Sequence, residues 1–314
     1  FCEENGKMDS ADPDKVSPIA KARGIPQLGS LGSGNHFLEI QKVDKVFDNK
    51  AAERFGIREE GQIMILIHTG SRGLGYQVCS DYLKVIESAS HKYNIHLPDR
   101  ELACAPNNSK EALNYFGAMG AALNYAWSNR QMITHWTRKV MQNIFKMSEN
   151  EIGLNLIYDV AHNIAKFEEH NIDGEKRKVV VHRKGATRAF PSESKDIPNS
   201  YRDIGQPVLI PGSMGTASWV LLGTHKSMKN SFGSTAHGAG RMMSRSAAIR
   251  TYRAEDVKRD LGRKGILVQS ASWKGIVEEA PGAYKDVDAV ADVSDKVGIA
   301  TKVIRLKPLG VVKG

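Results

Sequence analysis

A change of hydrophobic period partway along the chain constrains the fold more than any other feature. From Tyr76 to Tyr93, and again from about Ser109 to Phe145, apolar residues recur at three- and four-residue spacing, among them Tyr115, Met119, Leu123, Trp127 and Ile133. That spacing predicts a helical layer, expected to cover a sheet. Beyond it come short β-type runs bounded by turn residues: Leu154 to Tyr158, Lys178 to Arg183, Val208 to Pro211, Trp219 to Leu222, Ile266 to Gln269 and Lys302 to Leu306. Helical patterns near Ser246 to Tyr252, Glu255 to Leu261 and Val287 to Val297 interrupt these runs. The combination predicts an α+β fold with mixed β-sheets covered by helices. With no internal repeat, low-complexity tract or linker to divide it, residues 1–314 read as one compact domain.

Nearer the start, Asp12-Pro13 reads as the N-cap and first residue of a short helix carrying Val16, Ile19 and Ala20, with Gly24 as its C′ glycine. A glycine-rich turn leads into a strand around Phe37 to Val43. Gln62 to His68 is nearly continuous in apolar residues, the pattern of a strand buried on both faces.

Composition narrows the function classes. Of 314 residues, 41% are hydrophobic, enough for a sizeable core, and 44 Lys plus Arg against 35 Asp plus Glu give a net charge of +9. That balance favours a polyanionic partner, nucleic acid first. Cys2, Cys79 and Cys104 are widely spaced, which offers neither a disulfide framework nor a C-x-x-C metal pair and suits a reducing, cytoplasmic setting. No run of about 18 apolar residues is long enough to span a membrane as a helix.

Four histidines lie in similar settings, at strand ends or in glycine-rich loops: His36 in G-S-G-N-H-F, His68 in H-T-G-S-R-G, His162 in D-V-A-H-N and His237 in A-H-G-A-G-R. A single histidine is most often a structural residue. Four at strand ends can converge, and imidazole serves as metal ligand and as nucleophile. Pro211 to Ser218 (P-G-S-M-G-T-A-S) follows a strand with glycines and hydroxyls that suit phosphate or nucleotide binding. The P-loop, the lysine nucleotidyl-transfer motif K-x-D-G and the H-E-x-x-H zinc motif are all absent; Asp173-Gly174 occurs, but position 171 is Asn. Basic residues flank the loops: Arg72, Arg183, Lys184, Arg188, Arg241 and Arg245, whose charge suits phosphate oxygens. His91, His96, His135, His170 and His225, on predicted helices or polar loops, read as structural, and Cys79 and Cys104 as packing thiols.

Taken in order, L-G-S-G-N-H-F-L-E, H-T-G-S-R-G, A-H-N, H-R-K-G-A-T-R, P-G-S-M-G-T-A-S-W, H-G-A-G-R and the terminal K-G resemble the RtcB family of RNA-splicing ligases, in its archaeal branch, from about Ala11 to Gly314. The resemblance implies a GTP- and Mn2+-dependent ligase that joins RNA 2′,3′-cyclic phosphate or 3′-phosphate ends, such as tRNA halves, to 5′-hydroxyl ends. It makes His237 the nucleophile that takes GMP and Arg241 a neutraliser of phosphate charge. His36, His68 and His162 become manganese ligands, His36 on one ion and the other two on a second. Guanylate would be held by Asn35, Glu39, His162, Asn163, Pro211, Gly212, Ser213, Met214, Ser218, His237, Gly238, Ala239, Gly240, Tyr284 and Lys313, with Glu39 and Lys313 reading the guanine edge. Archease is an implied helper. The family's D-x-x-C-G motif, whose Cys bridges the metals, has no counterpart here, so the chain is expected to be a C-terminal portion of such a ligase. Two other readings compete: a basic RNA-binding remnant without catalysis, and a metal-dependent phosphodiesterase that opens cyclic phosphates without GTP.

Overall fold

The computed structural model describes residues 1–314. In chain order its helices are α1 (Pro18–Gly24), α2 (Asn49–Arg54), α3 (Arg72–Lys92), α4 (Lys110–Phe145), α5 (Glu149–Ile152), α6 (His225–Ser231), α7 (Arg245–Thr251), α8 (Ala254–Arg263), α9 (Trp273–Glu278) and α10 (Val287–Val297). The strands are β1 (Phe37–Val46), β2 (Ile63–His68), β3 (Asn163–Ile172), β4 (Glu175–Lys184), β5 (Ala186–Arg188), β6 (Pro207–Ile210), β7 (Ser218–Gly223), β8 (Ser234–Ala236), β9 (Leu267–Ser270) and β10 (Ala300–Lys313). The expected α+β class is what forms. Two compact units share the chain: one holds Phe1–Asn5, Leu31–His68 and Gly153–Gly314, the other Gly6–Ser30 and Thr69–Ile152.

The first unit is organised by β10. Its sheet runs β2-β1-β10-β7-β6, all antiparallel, and β9 adds the one parallel pairing. Strand β7 pairs with the first half of β10, Ala300 to Leu306, and β9 with its end, Gly310 to Lys313. Pro308 falls in the gap between these partners, where a residue without an N–H costs the ladder nothing on that side. The strand therefore continues well past the Leu306 end expected from sequence. The core packs Val43, Phe55, Tyr201, Val220, Ile304 and Leu306 together, with a second cluster of Ile210, Trp219, Leu221 and Val287. Strand β2 forms where expected, but not buried on both faces: it is an edge strand, Ile63 is half exposed and the rest are half-buried.

Three other expectations change. Leu154 to Tyr158 forms no strand; only the neighbouring Asp159 bridges to Cys2. This segment is held by the buried Tyr158 side chain and by the Ile157 carbonyl, which accepts from the Tyr201 hydroxyl at 2.7 Å. Strand β3, which the sequence reading passed over, pairs with β4 across all ten of its residues. The turn between them is Asp173-Gly174, with φ of +53° and +86°, the Asp-Gly signature of a two-residue hairpin. The helix expected from Asp12 to Gly24 divides into a short 3-10 turn capped by Asp12 and α1, capped by Ser17. Pro18 forces the break, since it has no N–H to donate backwards and holds Ser17 extended. Gly24 stays helical at φ −74° rather than adopting a left-handed cap.

The second unit is helical. Here α1, α3 and α4 pack on one another through Ala20, Val78 and Ala118, with Val16 from the preceding 3-10 turn, so the long helices form their own small core rather than a layer on a sheet within this unit. Asn129 of α4, fully buried, holds two loops: Oδ1 accepts from the backbone N–H of Gly29 (2.7 Å) and Ser30 (3.1 Å), and Nδ2 donates to the Ser30 and Gly70 carbonyls.

Candidate active site: four histidines beside a buried polar cluster

The four histidines singled out from sequence come together in the first unit. His36 immediately precedes β1, His68 ends β2 and lies opposite Phe37 in the register, His162 precedes β3 and His237 follows β8. Their rings form a row: centroids are 6.0 Å apart from His36 to His68, 5.1 Å from His68 to His162 and 4.4 Å from His162 to His237. The Nε2 atoms of His68 and His162 are 3.0 Å apart, so one ring donates and the other accepts. Burial holds the His68 pKa well below its ordinary value, and the neighbouring His162, His36, His237 and Lys313 depress it further. Burial also lowers His237; a backbone hydrogen bond at Gly185 opposes the shift and the nearby Lys184 ammonium adds to it. Both rings are therefore neutral at pH 7, the form that binds a metal or attacks phosphorus.

A second group of polar side chains lies on the buried face of β1. Phe37, Glu39, Gln41 and Val43 alternate toward the core, so an apolar pattern carries two polar residues at its centre. Gln41 Nε2 donates to Glu39 Oε2 (2.6 Å) and to Ser218 Oγ (2.9 Å), which also accepts from the Gly212 N–H. Lys313, opposite Phe37 at the end of β10, is 3% exposed, and its Nζ stands 5.7 Å from the Phe37 ring centre. Glu39 Oε1, Gln41 Oε1 and Lys313 Nζ have no hydrogen-bond partner. Burial raises Glu39 to about 8, against the Gln41 hydrogen bond and the Lys313 charge, and lowers Lys313 to about 8. Two acceptors and one donor, buried and unspent within one small cluster, are a standing cost that a polar ligand would recover.

The loop after β6 closes over this cluster. Ser213 N–H donates to Thr216 Oγ1 at 2.8 Å, and a Cβ on Gly212 would stand 2.0 Å from the Ala217 carbonyl, so only glycine fits this turn. Met214 is buried in the apolar cluster with Phe37 and Val311, and the Pro211 carbonyl faces Gly238. Ala239 is buried, and the Gly240 carbonyl accepts from the Lys285 N–H, after which Arg241 bridges to Tyr284. Arg241 Nη1 donates to Glu279 Oε2 (3.0 Å) and the Tyr284 hydroxyl (3.1 Å), Nη2 to the Glu278 carbonyl, and Arg245 Nε to Glu279 Oε1. The Tyr284 hydroxyl donates to Glu279, and burial followed by that carboxylate raises its pKa. Asn35 is half-buried beside His36; Asn163 is exposed, its Oδ1 accepting from Lys184 Nζ at 2.9 Å.

Several residues expected near phosphate are committed elsewhere. Arg183 is 1% exposed, forks onto Glu168 at 2.5 and 2.9 Å, and donates to Ser234 Oγ and the Phe232 carbonyl. Arg188 is equally buried, on Glu4, Gln206, Tyr158 and the Asp196 carbonyl. Arg72 lies in the second unit and donates to Ser30. His170 is structural as expected, yet it sits in β3 rather than in a helix or polar loop, buried with its Nε2 2.9 Å from Glu168. Sequence reading missed Gln41 and Glu279. Gln41 had a signal, a polar residue on the apolar face of an alternating strand; Glu279, just beyond α9, had none.

The site also bears on metal binding. Neutral imidazoles suit a borderline divalent cation. No group of three or more His, Cys, Asp or Glu side chains surrounds a single point. The donors the chain brings together here are the facing His68 and His162 pair, with His36 beside it, and they do not form a closed cage.

A family model described as tRNA-splicing ligase RtcB matches residues 1–314. The chain is 59% identical over 313 residues to the tRNA-splicing ligase RtcB of Archaeoglobus fulgidus, covering 100% of this chain and 65% of that protein. It is 59% identical over 312 residues to the protein of that name from Pyrococcus abyssi, covering 99% of this chain and 34% of the other, and 57% identical to that of Methanococcus maripaludis, covering 99% and 65%. The chain thus spans between about a third and two thirds of the length of these relatives. Matched from end to end and carrying the histidine row that its motifs predict, the chain belongs to the RtcB family of tRNA-splicing ligases.

Proposed function

We propose that this chain carries the catalytic portion of an RNA ligase that uses GTP to join an RNA 3′-phosphate to a 5′-hydroxyl, as in tRNA splicing and RNA repair. The observation that carries the reading is the His162–His237 contact at 4.4 Å, which puts a neutral imidazole beside the other three histidines and within the same unit as the unspent Glu39–Gln41–Lys313 cluster. His237 attacks the α-phosphorus of GTP; a P–N bond forms, the bond to the β-phosphate oxygen breaks and pyrophosphate leaves. An oxygen of the RNA 3′-phosphate then displaces His237, giving an activated end. The 5′-hydroxyl attacks that end and GMP departs. A 2′,3′-cyclic phosphate is first opened by water.

Glu39 Oε1 and Lys313 Nζ have the acceptor and donor chemistry for the guanine edge, which adenine presents differently. The Gly212–Ser213 backbone and Ser218 hydroxyl suit the remainder of the nucleotide, with Asn35, Asn163, Ala239, Gly240 and Tyr284 around it. Arg241 and Lys184 supply positive charge near the reacting phosphorus. Manganese held by His36, His68 and His162 would supply Lewis-acid stabilisation of charge on the phosphoryl oxygens. The resemblance extends this reading to archease as helper and to the cytoplasm as compartment.

The test is ligation of an RNA ending in 2′,3′-cyclic phosphate to a 5′-hydroxyl RNA, with GTP and manganese, by this chain alone and within the longer protein. Joined product that requires GTP and vanishes in His237→Ala is expected. Opening of the cyclic phosphate without GTP would point instead to the phosphodiesterase, and RNA binding without either reaction to the non-catalytic remnant.

A further inference from the structure

The hairpin of β3 and β4 begins at the histidine row and leads away from it. His162 precedes β3, and Lys184, the last residue of β4, stands beside His237 and donates to Asn163. Directly paired residues of an antiparallel ribbon share a face. One face therefore carries Lys184, His182, Phe167, Lys178 and Lys176, all exposed. The other buries Arg183, Lys166 and His170 against the protein. The exposed face has three lysines against one carboxylate, Glu169, and extends over ten paired residues, roughly 30 Å at a strand's rise. Phe167 is 44% exposed in its midst, with Lys178 Nζ 5.5 Å from the ring centre. Arg177 projects from the opposite face and is paired with Glu175.

We propose that this face is the track for the single-stranded RNA adjoining the reacting phosphate, with Lys184, Lys178 and Lys176 against phosphates and Phe167 stacked on a base. An exposed aromatic flanked by cations is how proteins hold single strands without reading their sequence. Lysines that merely guard a ribbon would be placed without regard to the reaction centre. Here they lead from Lys184 at His237 to the hairpin tip. The proposal rests on the ligase reading, since it takes His237 as the point where the strand ends.

The test is fluorescence anisotropy of a short single-stranded RNA, carrying 5′-fluorescein and a 3′-phosphate, titrated with the full chain at several salt concentrations. Removing two phosphate contacts in Lys176→Ala/Lys178→Ala should lower the slope of log K against log salt by about 1.4, at roughly 0.7 per single-strand phosphate. Phe167→Ala should weaken binding about fivefold or more. Arg177→Ala should change neither, and melting temperatures should match the parent chain. An unchanged slope in the double variant, or an equal loss in Arg177→Ala, would overturn the track. GMP labelling of His237 in the longer protein carrying the same substitutions separates the two ideas. Labelled protein without the lysine effect defeats the track alone, whereas the lysine effect in longer protein that is never labelled defeats the ligase reading, and with it the end of the track at His237, and leaves only an RNA-binding face.

Discussion

Glu39 shows the cost of the site at the level of a single residue. Burial raises its pKa from 4.5 to about 8, so folding takes up a proton between those values and the residue's contribution to stability falls as pH rises through that window. Glu39→Gln removes the titration while keeping size and a hydrogen-bonding end. The ligand-free variant should be more stable at pH 7–8, by on the order of 1–3 kcal/mol in urea unfolding. It should also lose most of its GMP affinity, because the amide has one acceptor oxygen where the carboxyl group has two, and the Gln41 donor and the guanine edge would compete for it. An unfolding midpoint that falls, or GMP binding that survives, would contradict the account. Glu39 was legible in sequence through the G-N-H-F-L-E motif; its charge state was not, since that depends on burial within a sheet whose strands come from distant parts of the chain, β10 pairing with β1.

Among the elements, the ribbon of β5 and β8 places His237. Ala186 pairs with Ala236, the residue before His237, and Arg183 holds the start of β8 through Ser234 and Phe232 while forked onto Glu168. Arg183→Met would leave Glu168 buried beside His170 without its partner and should destabilise the fold by about 3–5 kcal/mol. The double variant with Glu168→Leu should recover most of the melting temperature. GMP labelling per folded molecule should stay reduced, because β8 has lost its anchor. Recovery of labelling along with stability would mean that Arg183 does not position His237. From sequence, Arg183 looked like a phosphate ligand, since spacing shows that a cation lies near a loop and not that a carboxylate in an unrecognised strand is waiting for it. The Asp173-Gly174 turn would have revealed that strand, had it been read as hairpin chemistry as well as a failed nucleotidyl-transfer motif.

Across the whole molecule, strand and helix periods announced most elements, and ordered motifs announced the histidines. What sequence withheld were long-range arrangements: the division into two units, the path of β10 past Pro308, and the buried ion cluster that ties the first residues to the site. In that cluster Glu3 accepts from the Ala161 N–H, next to His162, and from Lys166 Nζ at 2.6 Å. Burial alone would raise its pKa, but Lys166 and Arg188 hold it down to about 2. A depressed carboxylate stabilises the fold above its unfolded value of 4.5, and that contribution is lost as pH falls toward 2. Acid unfolding of the parent chain should therefore carry about 3 kcal/mol from this group. Glu3→Gln should be less stable at pH 7 and titrate less steeply below 4.5; equal acid profiles would remove Glu3 from the account.

The most direct measurement is to incubate the chain with α-labelled GTP and manganese, alone and within the longer protein, and to map any acid-labile label by peptide. The account predicts label on His237 in the longer protein and none in His237→Ala. Label on another residue, or no label in protein shown to be folded and to bind GTP, would contradict it.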